Sequence, residues 1–437
     1  MTRTVKLTLD DRTWDFPLVE GSEGELGIDI TQLRSKTGLI TLDPSYGNTG
    51  ACTSSITFID GEKGILRYRG IPIEEVAAMD PPDFVEVAWH LIFGRLPRKA
   101  ELDAFSAKLS QNASLHEGFR HHFEGFPVDA PPMAMLSAMI NSLACFHYAV
   151  LNTPDEAAFE EAAARIISKV RTIAAYSYRK SRGLPLMYPN PRLRYCANFL
   201  HMMFSMPYAD FEVDPHVEDA LNLILLLHAD HEQNCSTSTV RVVGSSHANL
   251  YASVAAGVSA LWGPRHGGAN VAVIDMLEKI HKGGLSPQQC LELAKDKNSD
   301  FKLMGFGHRV YKNFDPRARI LKNAADKVLD RLHVQDPLLD IARKLEELAL
   351  ADPYFVDRKL YPNVDFYSGI IMKAIGIPVN MFTVMFAIGR LPGWIAQWKE
   401  QHDQPDMKIA RPRQIYTGPT LTHYVPMAER EEVAAVR

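Results

Sequence analysis

Three short segments in the C-terminal half carry side chains able to move protons near neutral pH, each framed by glycines or aromatic residues. They are Gly263-Pro-Arg-His266-Gly-Gly, Gly305-Phe-Gly-His308-Arg-Val and Tyr361-Pro-Asn-Val-Asp365-Phe-Tyr. Glycine beside a reactive side chain lets a ligand approach the backbone closely. Two imidazoles and one carboxylate supply acid and base functions for chemistry at neutral pH. Asp365 stands between Val364 and Phe366, a setting that strips hydration and raises a carboxyl pKa. A helix N-cap is the competing reading of the same aspartate. Gly267 and Gly268 are expected to open a helix, with backbone N–H groups that favour an anion.

Around His308 the sequence gathers Lys302, Arg309, Lys312, Arg317, Arg319 and Lys322, although the chain as a whole has a net charge of −5. Gly305 and Gly307 form Gly-x-Gly without the third glycine of a dinucleotide fingerprint, and no Walker lysine follows. The glycines favour a ligand loop for carboxylate or phosphate over a plain solvated helix face. Arg390 closes the apolar run Met381–Ile388, and Arg411 stands in Arg411-Pro-Arg413. An arginine ending an apolar run is read either as an anion binder or as a side chain snorkelling to water. His228-Ala-Asp-His231 invites a zinc reading with both histidines on one helical face, but the His-Glu-x-x-His spacing is absent. Followed by Asn234, Ser236, Thr237, Ser238 and Thr239, it better suits a polar small-molecule pocket at a helix end.

The elements that must position these groups are mostly helical. Phe84, Val87, Ala88, Leu91 and Ile92 fall on one face, with Asp83 as N-cap and Gly94 as the stop. Asp214-Pro215 opens a buried helix through Leu227. Small residues fill a helix over Tyr251–Trp262, closed by Gly263-Pro264. Gly283-Gly284 and Ser286-Pro287 mark a break before a second helical unit. Only the beginning alternates: Val5, Leu7, Leu9, then Trp14, Phe16 and Leu18 across Asp10-Asp11, and a second strand pair at Ile56–Ile59 and Ile65–Tyr68. The expected fold is mainly α, in two lobes, with a small β-rich N-terminal region.

Of the 437 residues, 46% are hydrophobic and 23% charged, the balance of a soluble globular protein. A mildly acidic chain gives no reason to expect nucleic acid or an anionic membrane. Five scattered cysteines, Cys52, Cys145, Cys196, Cys235 and Cys290, read as buried free thiols of a reducing cytosol. No signal peptide is visible, and Ile370–Ile388 is broken as a membrane span by Lys373 and Pro378, so the expected location is cytoplasmic.

Four long motifs, in order, resemble citrate synthase: Leu-His-Ala-Asp-His231-Glu-Gln-Asn, Leu-Trp-Gly-Pro-Arg-His266-Gly-Gly-Ala-Asn, Met-Gly-Phe-Gly-His308-Arg-Val-Tyr-Lys-Asn-Phe-Asp-Pro-Arg317-Ala and Tyr-Pro-Asn-Val-Asp365-Phe-Tyr-Ser-Gly. The likeness runs from Tyr68 to Tyr416, and the N-terminal region is similar to the Gram-negative hexameric type. The resemblance implies a citrate-synthase-like fold with an N-terminal β region at 1–60 and a large helical domain at 61–276 and 384–437. A small helical domain is implied at 277–383. It implies condensation of acetyl-CoA with oxaloacetate and hydrolysis of citryl-CoA, with acetyl-CoA as co-substrate, no tightly bound cofactor and no metal.

By the same resemblance Asp365 is the base, His266 bonds the thioester oxygen, and His308 polarises the oxaloacetate carbonyl. His231, Arg317, Arg390 and Arg411 bind carboxylates, Arg411 in the neighbouring subunit's site. A homodimer is then the minimum unit and a homohexamer the expected assembly. The same-class rival is 2-methylcitrate synthase acting on propionyl-CoA, one methylene away. Some Gram-negative relatives carry an NADH-inhibition pocket. Here its leading Arg-His-Thr is matched by Gln111-Asn112-Ala113, its tyrosine by His147 and its cysteine by Tyr208, while Arg165 and Lys169 correspond to its cation pair. Loss of NADH control is the expectation.

Overall fold

The computed structural model describes residues 3–148, 155–332 and 336–430. It divides into two compact units, one of Met1–Ala51 with Ala410–Arg437 and one of Cys52–Ile409. In the first, β1 (Thr4–Leu9), β2 (Arg12–Glu20) and β3 (Leu26–Ile28) form an antiparallel sheet, followed by α1 (Leu33–Thr37). The alternation seen in the sequence sets the register, Val5 opposite Phe16 and Leu7 opposite Trp14. Asp10 takes a left-handed φ of 51° in the expected turn, a conformation that aspartate tolerates. Arg411 belongs to this unit and is exposed.

The second unit begins with β4 (Thr57–Asp60), β5 (Ile65–Tyr68) and β6 (Ile71–Pro72), then α2 (Ile73–Ala77) and α3 (Phe84–Phe93). It continues with α4 (Lys99–Gln111), α5 (Glu117–Glu124), α6 (Pro132–Phe146), α7 (Glu156–Ser181), α8 (Tyr195–Phe204) and α9 (Pro215–Leu227). Next come α10 (Cys235–Gly244), α11 (Leu250–Leu261), α12 (Ala269–Gly283), α13 (Pro287–Lys295) and α14 (Pro316–Leu332). The last are α15 (Pro337–Ala351), α16 (Pro353–Asp357), α17 (Val364–Ile375) and α18 (Phe382–His402).

Local chemistry explains the boundaries. The Asp83 carboxylate accepts from Val85 and Glu86 N–H to start α3, and Gly94 ends it. Asp214 caps α9 ahead of Pro215, and Ser286 and Gln289 form a capping box ahead of α13. The core is continuous from α3 and α7 through α9 to α18, with Trp394 fully buried. Of the described helices, only the segment Val379–His402 is long and apolar enough to cross a membrane, and 78% of its apolar window is buried inside the protein.

The helix end read at His228 and His231 is observed: α9 ends at Leu227, His228 is its C-cap and His231 lies in the following turn, so the two do not share the helical face that the zinc reading required. One expectation fails. The cysteines are not uniformly buried, since Cys196 and Cys290 are while Cys145 and Cys235 are exposed.

Candidate active site

Close packing of two backbones builds one wall. Gly393 on α18 lies so near the turn after α9 that a Cβ there would meet Ala229 O at 2.3 Å and Asp230 Oδ1 at 2.4 Å. The Gly393 N–H donates to Ala229 O at 3.0 Å. One turn earlier, Arg390 donates from Nε to His228 O at 2.6 Å, its guanidinium 5.0 Å from the Phe386 ring. Arg390 is 2% exposed, so it does not snorkel to water, and its Nη1 has no protein partner. Burial lowers its pKa to about 10, with Asp230 pulling the other way. From the other side of this turn, the Tyr68 hydroxyl donates to Leu226 O at 3.1 Å.

The second wall is the loop from Gly305 to Arg317. Gly307 has φ +75°, a left-handed conformation that costs glycine little, and its N–H donates to Tyr361 O at 2.8 Å. The Asn363 side chain donates to Gly307 O at 2.9 Å and accepts from Asp365 and Phe366 N–H. Asn363 is therefore the N-cap of α17, and Asp365, in its first turn, is left free to act. Asp315 grips Arg317 with both oxygens at 3.0 Å and accepts from Val364 N–H at 3.2 Å, tying the arginine to the start of the aspartate's helix. Burial opposes charge on both Asp315 and Arg317. Their pairing overcomes it, holding the carboxyl pKa down and the guanidinium pKa up.

These walls bring the predicted groups together. The His231 and His308 rings lie 5.6 Å apart, and the Tyr311 ring is 5.7 Å from the first and 4.9 Å from the second. The Arg317 guanidinium is 5.8 Å from the same tyrosine ring. Burial raises the Asp365 pKa to about 6, Asp315 adds to the rise, and Arg317 and Arg390 oppose it, so both cations act on this carboxylate. His231 is pushed down by burial and by Arg317, His308 and Arg390.

The two remaining imidazoles are fixed as neutral donors in mirror-image fashion. His266 Nε2 accepts from Ser236 N–H at 3.2 Å and meets Ser236 Oγ at 2.8 Å. An N–H can only donate, so the ring proton is on Nδ1. His308 Nδ1 accepts from Val310 and Tyr311 N–H at 3.1 and 3.2 Å, so its proton is on Nε2. Each pKa is lowered to about 4, by burial first and then by Arg390 for His266 and Arg317 for His308.

A family model described as "Citrate synthase, C-terminal domain" matches residues 45–413. The chain belongs to the citrate synthase family. Citrate synthase 1 of Mycobacterium tuberculosis is 51% identical over 416 residues, covering 95% of this chain and 96% of that protein. Citrate synthase of Corynebacterium glutamicum is 50% identical, with 95% of each chain covered. Among solved structures, citrate synthase from Pyrobaculum aerophilum superposes with a TM-score of 0.79 at 36% identity, covering 98% of this chain and all (100%) of that one. That from Thermoplasma acidophilum, solved as a ternary complex with carboxymethyl coenzyme A and oxaloacetate, gives 0.78 at 31% identity, covering 88% of this chain and 98% of that one. The protein is thus an enzyme of the acyltransferase type that makes citrate, on the fold expected from the sequence.

Against the citrate synthase pattern, sequence reasoning missed three positioning groups. Ser236 was grouped with the polar donors but not paired with His266. Asp315 carried a visible signal, since Asp-Pro opens α14 as Asp214-Pro215 opens α9. Phe386, whose ring lies 4.8 Å from His228 and 6.4 Å from His266, carried none.

Proposed function

We propose that Asp365 is the base, His266 and His308 the two hydrogen-bond donors, and Arg317, Arg390 and His231 the oxaloacetate binders of this citrate synthase. One observation carries the assignment: a carboxyl raised to about 6 sits in the field of the two arginines that also act on the two imidazoles. Asp365 takes a proton from the acetyl methyl group of acetyl-CoA while His266 Nδ1–H bonds the thioester oxygen, where negative charge develops. The enolic carbon attacks the oxaloacetate carbonyl, whose oxygen receives a hydrogen bond and then a proton from His308 Nε2. Water hydrolyses the citryl thioester to citrate and free CoA. Arg390 Nη1 and His231 Nε2, buried and without protein partners, supply donors for carboxylate oxygens.

Residues 277–383 are proposed as the smaller lobe, whose closure would exclude water during condensation. Arg411 is proposed to complete the site of a neighbouring subunit, which makes a dimer the functional minimum, with a hexamer as the larger assembly and the cytoplasm as its location. Mixing Arg411→Leu with Asp365→Asn subunits tests this. Some mixed dimers regain one intact site and activity returns; no recovery, given verified subunit exchange, removes Arg411 from the shared site.

Thiol release from acetyl-CoA with and without oxaloacetate tests the whole reading, with propionyl-CoA run in parallel. Release only with oxaloacetate, and faster with acetyl-CoA, is expected. Faster release with propionyl-CoA would turn the assignment to 2-methylcitrate synthesis.

A further inference from the structure

Among the described residues, two buried arginines keep guanidinium N–H groups without any partner, Arg390 and Arg171. Arg390 faces the proposed oxaloacetate site. Arg171, 2% exposed in the middle of α7, lies outside it. Its Nη1 donates to Tyr195 O at 3.2 Å and its guanidinium lies 4.5 Å from the Tyr195 ring, but Nε and Nη2 bond nothing. Other buried arginines are satisfied: Arg317 by Asp315, Arg179 by backbone carbonyls including Met203 and Ser205, and Arg241 by Gln397 and Glu400. A buried cation with two idle donors and no paired carboxylate is costly unless something supplies the missing acceptors.

Arg171 lines a cavity of about 220 Å³ together with Ser106, Ser110, Arg192, Arg194 and Asp83. Ser106 and Ser110 stand one turn apart on α4, and neither hydroxyl has a protein partner among the described residues. Arg192 makes no ion pair among the described residues. Arg194 holds Asp83 and Glu218 only at 3.7 and 3.6 Å. The first amides of α3 are already used, by Asp83 and by Asn222 Oδ1, so guanidinium and hydroxyl groups are what the cavity offers.

We propose that this cavity is a second, anion-binding site for a phosphate group, free or carried on a small ester. Arg192, Arg194 and the two hydroxyls line the cavity, the charge of the buried Arg171 stands behind them, and together they suit the several oxygens of phosphate better than the two of a carboxylate. The volume, roughly seven waters' worth, excludes CoA or a dinucleotide. Asp83 is the one carboxylate in the lining, and anion binding would free it from Arg194.

The test uses the full-length protein with saturating oxaloacetate and CoA, so that phosphate cannot report on the place of either substrate. Calorimetric titration and thermal unfolding are run with inorganic phosphate and with glycerol 3-phosphate, against sodium chloride of equal ionic strength. Binding and a raised Tm are expected for phosphate, and binding of the ester as well would show that the site takes a carried phosphate group. Arg192→Ala, on the surface and safe for folding, should weaken binding about tenfold, the worth of one charge-assisted bond. Arg171→Met, if folded, should weaken it as well, because the buried charge behind the cavity is gone. Equal stabilisation by chloride, or unchanged affinity in Arg192→Ala, would overturn the proposal.

Discussion

The cleft around Arg390 and the helix pair around Arg165 are built from the same side-chain types and end in opposite states. In the cleft, Arg390 Nη1, His228 Nε2, His231 Nε2 and the Tyr311 hydroxyl are buried without protein partners. Around α4 and α7, Arg165 bonds Glu161 at 2.7 Å and His147 at 3.3 Å, Asn112 reaches the same glutamate at 3.2 Å, and Lys169 donates to Ser114 O at 2.6 Å. Beside Arg165 itself the buried atom left over is the uncharged Tyr251 hydroxyl, while Arg171, further along α7, belongs to the separate cavity described above. A region whose charges are satisfied internally is structure; a region that leaves them idle awaits a ligand.

The largest effect expected from this contrast is on chemistry. Asp365→Asn and His266→Ala should each lower kcat by about 10²–10⁴-fold, the usual yield of a positioned acid or base. Oxaloacetate affinity should largely survive. A folded variant with near-normal turnover would end that residue's assigned role.

The two buried arginines should then part company. Arg317→Leu strands Asp315 as a buried unpaired charge, so a stability loss of about 3–5 kcal/mol is expected in denaturant melts. Arg390→Leu breaks a bond to a carbonyl and takes a cation's field from buried Asp230, but it breaks no hydrogen-bonded ion pair, so its stability loss should be the smaller of the two. Its loss is in oxaloacetate binding, about 1.5–3 kcal/mol for a charge-assisted bond. If Arg390→Leu keeps its oxaloacetate KM, the idle Nη1 is no carboxylate donor.

Acid sensitivity follows with a smaller effect. Asp365 must be ionised to act, so kcat/KM for acetyl-CoA should fall as pH drops through about 6. Arg317 and Arg390 hold that pKa down, and an oxaloacetate dianion on them cancels part of their charge. With oxaloacetate saturating, the acid limb should therefore move upward. A downward move would mean that the arginines do not carry the substrate. His266 and His308, both near 4, contribute no limb in the neutral range.

Much of this was legible because caps and patterns act locally. Asp83, Gly94 and Asp214-Pro215 placed their helices correctly, and the period-two alternation placed β1 and β2. The glycine-framed segments pointed to His266, His308 and Asp365, and the structure gathers them around two cations, His308 and Asp365 in the field of Arg317, His266 and Asp365 in that of Arg390. What stayed hidden depends on contacts distant in sequence. α9 stops before His228 where α18 presses on the turn through Gly393, a contact made across more than 160 residues of chain. The apolar run before Arg390 left anion binding and snorkelling both open, and only the packing of α18, which runs on to His402, shows the side chain to be buried. The cysteine reading failed at Cys235 because the first turn of α10 faces outward there.

The last prediction tests the satisfied region by the absence of an effect. NADH carries two phosphate charges, and a pocket for it needs idle cations and hydroxyls. At 111–113 the side chains are Gln, Asn and Ala, and Ala113 is itself buried at 1% exposure. Arg165 is engaged by Glu161. Burial and the neighbouring Arg165 lower Lys169 to about 8, and burial with Lys169 and Arg165 lowers His147 to about 4. Losing two charge-assisted bonds at about 1.5–3 kcal/mol each weakens a dinucleotide by roughly a thousandfold. Micromolar NADH at low salt should therefore leave citrate formation unchanged and acetyl-CoA saturation hyperbolic. Simple competition with acetyl-CoA at millimolar NADH fits adenine-nucleotide mimicry at the active site. Sigmoidal saturation with inhibition at micromolar NADH would mean that the Glu161 pairing opens for a ligand, and the distinction between the two regions would fall with it.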